Sequence, residues 1–342
     1  MGYRYAVIGS GRQGTAAAYD LASRGDAGYV LMADMSLAQA ERAATRVNQL
    51  AGREVACAAQ VNVQDEEAVV ALLTGSAIQV FVSGVPYYFN MGLTRAALRA
   101  QASMCDFGGN TDQIRQQLAF DGAAKAAGIT LIPDCGQVPG LGTSLISYAM
   151  TLLDEPRDII MYDGGIPRHP TPPWNYILTF NIEGLTNEYF GTTLFLRDWK
   201  QREMPCFEEY ELVDFPAPFG QLEAFTTAGG TSTMPWTFEG KLRTLQNKTL
   251  RWPGHYAQWK AFNDAGLIGL QPVVVDGQPV IPRHLLHSLL ERTTGWHAAI
   301  MAGFIARGQT PKGGVPVELA VPGQVFIDEF RERGFDLRVS YR

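Results

Sequence analysis

An apolar run, Tyr5-Ala-Val-Ile8, leads straight into Gly9-Ser10-Gly11-Arg12-Gln13-Gly14, and an alanine-rich stretch at helical spacing follows from Thr15 to Ser23. A second apolar run then ends on Asp34, twenty residues past the last of these glycines. This order constrains the fold because each position has a mechanical reason. Gly9 permits a tight turn out of a strand, Gly11 lets a ligand approach the backbone, and Gly14 lets helix and strand pack closely. The start of the helix presents unpaired N–H groups to an anion. Asp34 falls where a carboxylate accepts hydrogen bonds from ribose hydroxyls. The pattern predicts a dinucleotide site at Gly9, Ser10, Gly11, Arg12, Gln13 and Gly14, with Asp34 and Met35 at the ribose. A carboxylate repels a 2′-phosphate, and Met35-Ser36 supplies no arginine to compensate, so NAD is expected over NADP.

Strands and helices go on alternating. Ser36 opens a helix to about Leu50, Glu54 to Ala58 reads as a strand, and Asp65 caps a helix to Leu73. Ile78 to Ser83 is nearly continuous in apolar residues, as a parallel strand covered on both faces should be. Asn90 to Gln101 is a predicted helix and Met104 to Asp106 a strand. A helix capped by Asp112 to about Ala127 and a strand at Ile129 to Ile132 complete a doubly wound parallel sheet. Ligands of such sheets lie beyond the carboxyl ends of the strands. That places Ser83, Gly84, Val85 and Pro86 at the cofactor. Tyr87, Tyr88, Asp106, Gly108, Gly109, Asn110 and the segment Pro133 to Gly140 then fall at the substrate.

A chain of 342 residues suits two domains. Charged residues make up 18% with a formal net charge of -6, and no cluster of lysine or arginine invites nucleic acid. No apolar run approaches the roughly eighteen residues of a membrane span, and the start passes directly into the first strand, so a cytoplasmic location is expected. The cysteines Cys57, Cys105, Cys135 and Cys206 form no C-x-x-C pair, so neither a metal site nor a disulfide framework is expected. Cys57 and Cys105 read as buried free thiols.

Periodicity changes after Gly140. Leu141 to Leu153 reads as a buried helix, and short β-like runs follow at Asp158–Tyr162, Tyr176–Phe180, Glu223–Thr227 and Lys248–Trp252. Helices are predicted from Arg283 to Arg292 and from Gly295 to Arg307. The small residues Ala298, Ala299, Ala302 and Gly303 of the second suit close packing on the first domain. The expected division is 1–138 for the dinucleotide, 139–294 for the substrate and dimerisation, and 295–342 returning to the first domain.

The nucleotide pattern, Pro133-Asp-Cys-Gly-Gln-Val-Pro-Gly140, Gly164-Gly-Ile-Pro167, Gly229-Gly-Thr-Ser-Thr233, Thr249-Leu-Arg-Trp-Pro-Gly-His255 and Val321-Pro-Gly323 occur in one order. Together they resemble the saccharopine dehydrogenase-like oxidoreductases, most of all the ε-deaminating lysine 6-dehydrogenases. The resemblance implies a Rossmann domain with an inserted α+β substrate domain carrying an antiparallel sheet. It also implies NAD-linked oxidation of an amine carbon and a homo-oligomer, a dimer first.

Such chemistry asks for a group that takes a proton from an amine whose free pKa is about 10.4. Asp106, Asp134 and His255 are the candidates, with Tyr88 a weaker one and Asp106 favoured for its strand-end position beside glycines. Arg251 could pair with a substrate carboxylate, and Gly229, Gly230 and Thr231 offer further donors to it. Cys135 is a candidate for contact with the substrate, without a nearby cation to activate it. His284 and His287 read as a solvated helix face. A rival reading reverses the reaction, joining an amine to a carbonyl compound, and a second arginine in the cleft, Arg168 or Arg243, would favour it. A third keeps the nucleotide without turnover.

Overall fold

The computed structural model describes residues 2–170, 174–178, 182–288, 307, 309, 322, 324, 325 and 328. Two compact units result, Met1–Ala261 and Phe262–Arg342. The first holds two sheets.

The nucleotide sheet is built from β1 (Tyr3–Ile8), β2 (Ala27–Asp34), β3 (Ala56–Gln60), β4 (Val80–Ser83), β5 (Ser103–Asp106) and β6 (Leu131–Ile132). All pair in parallel in the order β3-β2-β1-β4-β5-β6. Between them run α1 (Arg12–Arg24), α2 (Leu37–Ala51), α3 (Glu66–Gly75), α4 (Asn90–Ala100), α5 (Thr111–Leu118) and α6 (Asp121–Ala127). Alternate strand residues feed opposite cores. Ile8, Leu31 and Phe81 pack with Leu93 and Met104 on one face, while Val7, Val30, Met32 and Val82 pack with Val47 on the other. Burial on both faces explains why these strands read as continuous apolar runs. The edge strands are the exceptions: Cys57 of β3, expected to be buried, is exposed, and so is Ile132 of β6.

The caps follow the sequence except at α5. Ser36 and Asp65 accept from the N–H of Gln39 and Ala68, whereas α5 is capped by Asn110, whose side chain accepts from Gln113 N–H at 3.1 Å. Asn110 is extended, which aims its amide oxygen back at the helix; Asp112 already lies inside the first turn, where its charge suits the helix dipole. The single helix expected to Ala127 is two, α5 and α6.

The second sheet follows α7 (Leu141–Met150) and comprises β7 (Asp158–Asp163), β8 (Thr192–Arg197), β9 (Lys200–Pro205), β10 (Glu211–Phe215), β11 (Gly220–Thr226) and β12 (Thr244–Arg251), with α8 (Ile182–Glu188) and α9 (Met234–Phe238) in the connections. The order β10-β11-β12-β8-β9 is antiparallel, and β7 lies parallel beside β12. The helix α7 is not buried as its composition suggested. Only Ile146 is buried, in a cluster with Leu196, Met234 and Leu245, while Leu141, Leu145 and Tyr148 stay exposed. Residues 175–178 form no strand, and 179–181 lie outside the described residues.

The helix α10 (His255–Asp264) leads into the second unit, where β13 (Val273–Val275) and β14 (Gln278–Val280) form a hairpin. Asp276-Gly277 turns it with positive φ at both residues, the geometry that matches the twist of paired strands. A helix at 282–288 follows, anchored by Arg283, whose Nε donates to Ile268 O at 2.9 Å. His284 is exposed on it. The predicted helix at 295–307, the 321–323 segment and the proposed 295–342 domain lie outside the described residues, save for isolated positions such as Arg307 and Pro322.

Candidate active site

The glycine loop is shaped by contacts that leave no room for a Cβ. Gly9 has φ +103, and a Cβ there would lie 2.6 Å from the backbone of Gly84; one at Gly14 would collide with the carbonyl of Gly9. Gly11 is different: nothing lies within 4 Å of its would-be Cβ, so its open side faces the approach to α1. The first turn of α1 carries no acidic side chain and no side-chain cap, leaving its N–H groups for an anion. Asp34 closes the loop, its carboxylate accepting from Ser10 N–H at 2.9 Å and Ser36 N–H at 3.0 Å. Met35 is exposed beside it. These residues fit the pyrophosphate and ribose of a dinucleotide. Ser83, expected at the cofactor, is buried and donates to Asn90 Oδ1 at 2.7 Å, so it braces the start of α4.

Next to the loop opens a cavity of about 950 Å³. The first sheet contributes Gln13, the Gly84-Val85-Pro86-Tyr87 turn, Gly108-Gly109-Asn110, Asp134 and Cys135. The second contributes Gly229, Thr231 and Arg251 among the expected residues, Ser232 from the same Gly229-Gly-Thr-Ser-Thr233 run, and Asp163 and Glu188, which were not foreseen. Tyr88 points to solvent, half exposed, and does not line the cavity. Gly230 lies behind the wall, where the amide of Asn247 fills the space a Cβ would take.

Asp106 does not face the cavity. It is 1% exposed, and its carboxylate accepts from Gly108 N–H at 2.7 Å, Asp134 N–H at 3.2 Å and Gln117 Nε2 at 2.8 Å. It therefore ties together the loops that follow β5 and β6. Burial pushes its carboxyl above the usual range, while these three donors pull it back.

Asp134 occupies the position expected of Asp106. It has φ +63, lines the cavity, and accepts a hydrogen bond from Ser232 Oγ across the gap between the sheets. Burial, with a smaller contribution from the charge of Asp106, pushes its carboxyl up to about 6. The folded protein thus holds this proton to about pH 6, whereas an ordinary aspartate releases it near 3.8. The contribution favours folding at low pH, falls away as pH rises through that interval, and is flat above it. Asp134→Asn is expected to remove the decline, raising stability at pH 7 relative to pH 4 by about 2 kcal/mol. Urea midpoints of both proteins between pH 4 and 7.5 test this, and parallel curves would refute it.

His255 is likewise out of reach, 1% exposed among Tyr176, Tyr189 and Trp259. Burial and the charge of Arg251 hold its pKa down to about 3, so the ring is neutral and cannot serve as the near-neutral acid or base expected. It supports Arg251 instead. Arg251 Nε donates to Tyr189 Oη at 2.8 Å, and that hydroxyl meets His255 Nε2 at 2.8 Å. Arg251 Nη1 donates to Leu250 O at 2.9 Å, and Nη2 stands 3.7 Å from Glu188. The guanidinium is already engaged by the protein rather than open to a carboxylate. Neither Arg168 nor Arg243 lines the cavity; Arg243 pairs with Asp158. Arg115 of α5 does line it, stacked 4.7 Å from the Trp236 ring. Cys135 has an unforeseen neighbour, since a hydrogen bond from Cys105 lowers its thiol pKa.

Residues 5–132 match the saccharopine dehydrogenase NADP binding domain and residues 138–292 the saccharopine dehydrogenase C-terminal domain. Carboxynorspermidine synthase of Vibrio cholerae serotype O1 is 24% identical over 313 residues, which cover 84% of this chain and 72% of that protein. The apo histidine-tagged saccharopine dehydrogenase (L-Glu forming) of Saccharomyces cerevisiae has the same fold, with a TM-score of 0.60 at 19% identity over 80% of this chain. The chain spans 62% of the length of that structure.

Proposed function

From the premise that this chain belongs to the saccharopine dehydrogenase family, carrying both its nucleotide-binding and its C-terminal domain, we propose that it is an NAD-dependent oxidoreductase acting at the C–N bond of a cationic amine substrate. The observation that carries the reading is the charge of the cavity beside the glycine loop. Asp112, Asp134, Asp163, Glu183, Glu188 and Glu203 line it against only Arg115 and Arg251 among the described residues. A cleft lined by more acids than bases concentrates the opposite charge, here an ammonium. The favoured substrate is a lysine-like ε-amine, oxidised to an imine that water converts to the aldehyde.

Bound nicotinamide would supply the hydride acceptor at the carbon bearing nitrogen. Gly84, Val85 and Pro86 would hold its ring against that carbon, since they turn the chain out of β4 into the cavity. Asp134 would take the ammonium proton onto its carboxylate, helped by a pKa raised to about 6. Asp106 and Ser232 position Asp134, one through its N–H and the other through its carboxylate.

The reverse reaction, joining an amine to a carbonyl compound, is supported by Arg115 as a second arginine in the cavity and by the name of the Vibrio relative. One panel tests both. Lysine, diamines and triamines are assayed with NAD and NADP for reduced nicotinamide, and the same amines are paired with aldehydes and 2-oxo acids in the presence of reduced cofactor. Turnover in neither direction would refute the proposal.

NAD is favoured over NADP because the Asp34 carboxylate stands at the ribose end of the cleft with exposed Met35 beside it. Replacing Asp34 with Ser and Met35 with Arg is expected to move the ratio of NADP to NAD efficiency upward by about 10-fold or more, about 1.4 kcal/mol. Steady-state kinetics with both cofactors measures it; an unaltered protein that already prefers NADP would overturn the assignment.

A further inference from the structure

We propose that Asp163 and Glu188 form a binding subsite for a primary alkylammonium group on the wall of the cavity, with Arg251 as their built-in counter-charge. The proposal rests on the amine reading above and assigns the place where that charge is held.

Asp163 is the last residue of β7 and stands opposite Thr249 of β12. Its Oδ1 is buried and has no hydrogen-bond partner. Buried carboxylate oxygens are rarely left bare, and Asp163 is among the residues that line the cavity, so a ligand donor entering beside it would complete its partners. Glu188 ends α8 and lines the same cavity. The only cation close to both is Arg251 among the described residues lining the cavity near them, and its Nε and Nη1 are spent on Tyr189 and Leu250 O. Two carboxyl groups thus share one guanidinium, an excess of acid over base that an arriving cation would draw into the charged form. An incoming carboxylate would meet like charge, whereas an ammonium brings one positive charge and three N–H donors.

The second sheet builds this wall from distant segments. Burial pushes the Asp163 carboxyl above the usual range, while a side-chain hydrogen bond from Asn247 and the charge of Arg251 oppose the shift; Gly230 leaves the room in which the Asn247 amide sits. Burial, together with the charge of Asp163, pushes the Glu188 carboxyl up to about 7, as expected of two acids facing each other; Arg251 opposes the shift.

The test uses the full chain, with and without NAD, and n-butylammonium chloride and sodium butyrate as probes in calorimetric titrations. The parent protein should bind butylammonium and not butyrate. Asp163→Asn and Glu188→Gln, each close in shape to the original, should each weaken butylammonium at least about tenfold, with NAD affinity and melting temperature reporting an intact fold. If one variant fails to fold, the other decides. Butylammonium affinity within twofold of the parent in a folded variant, or tighter binding of butyrate, overturns the proposal. Loss of butylammonium binding in a protein that turns over no amine would remove the proposed function and leave the subsite standing. Amine oxidation with unchanged affinities in the variants would remove the subsite alone.

Discussion

Gly14→Val is expected to destabilise the protein by about 3 kcal/mol or more, while Gly11→Ala leaves the free protein within about 1 kcal/mol of the parent and weakens NAD at least tenfold. The two positions differ in what surrounds them. At Gly14 a Cβ runs into the Gly9 carbonyl and comes within 3.1 Å of Val7 Cγ1, so α1 and β1 would have to separate. At Gly11 the backbone is extended, with φ -73 and ψ -168, a conformation open to any residue, and no protein atom is near. A methyl group there meets only what approaches from outside. Thermal melts without cofactor and titrations with NAD separate the effects. A Gly11→Ala protein that binds NAD like the parent would show that the pyrophosphate lies elsewhere.

Asp106→Ala is expected to cost about 3–5 kcal/mol, because it strands three donors that are shielded from water. The N–H groups of Gly108 and Asp134 and the amide of Gln117 all point at this one carboxylate. Both loops that depend on it line the cavity, so cofactor and substrate affinity should fall together with stability. Asp106→Asn keeps an oxygen for the two N–H groups and turns an amide toward Gln117, so it should cost about 1–2 kcal/mol. A group acting directly in chemistry would behave otherwise. If Asp106→Ala melts with the parent and loses only turnover, the carboxylate is a reacting group and Asp134 is not its replacement.

The difference between Asp106 and Asp134 shows where sequence reasoning stops. Both are acids at the ends of neighbouring strands, and Asp106 looked better placed because glycines follow it. The left-handed φ of Asp134 and the Ser232 hydroxyl that reaches it are products of chain closure, the partners lying ninety-eight positions apart in the sequence. His255 was misjudged for the same reason. Its motif places it beside Arg251, but burial among Tyr176, Tyr189 and Trp259 makes it a neutral support. Asp163 carried one faint signal, its position directly before Gly164-Gly-Ile-Pro167; Glu188 in α8 carried none.

The sequence alone determined the parallel sheet, its helices, the glycine loop and the carboxylate at the end of β2. Those features depend on residues within a few positions of one another, or on a periodicity of two or 3.6 that any close neighbour can reveal. The exposure of α7, the capping of α5 by Asn110, and the partners of Arg251 were decided only by tertiary structure. A side chain's partners across a cavity are set by how two sheets meet. Burial then shifts Asp134 upward and His255 downward through the cost of charge away from water, a quantity no local pattern of residues contains.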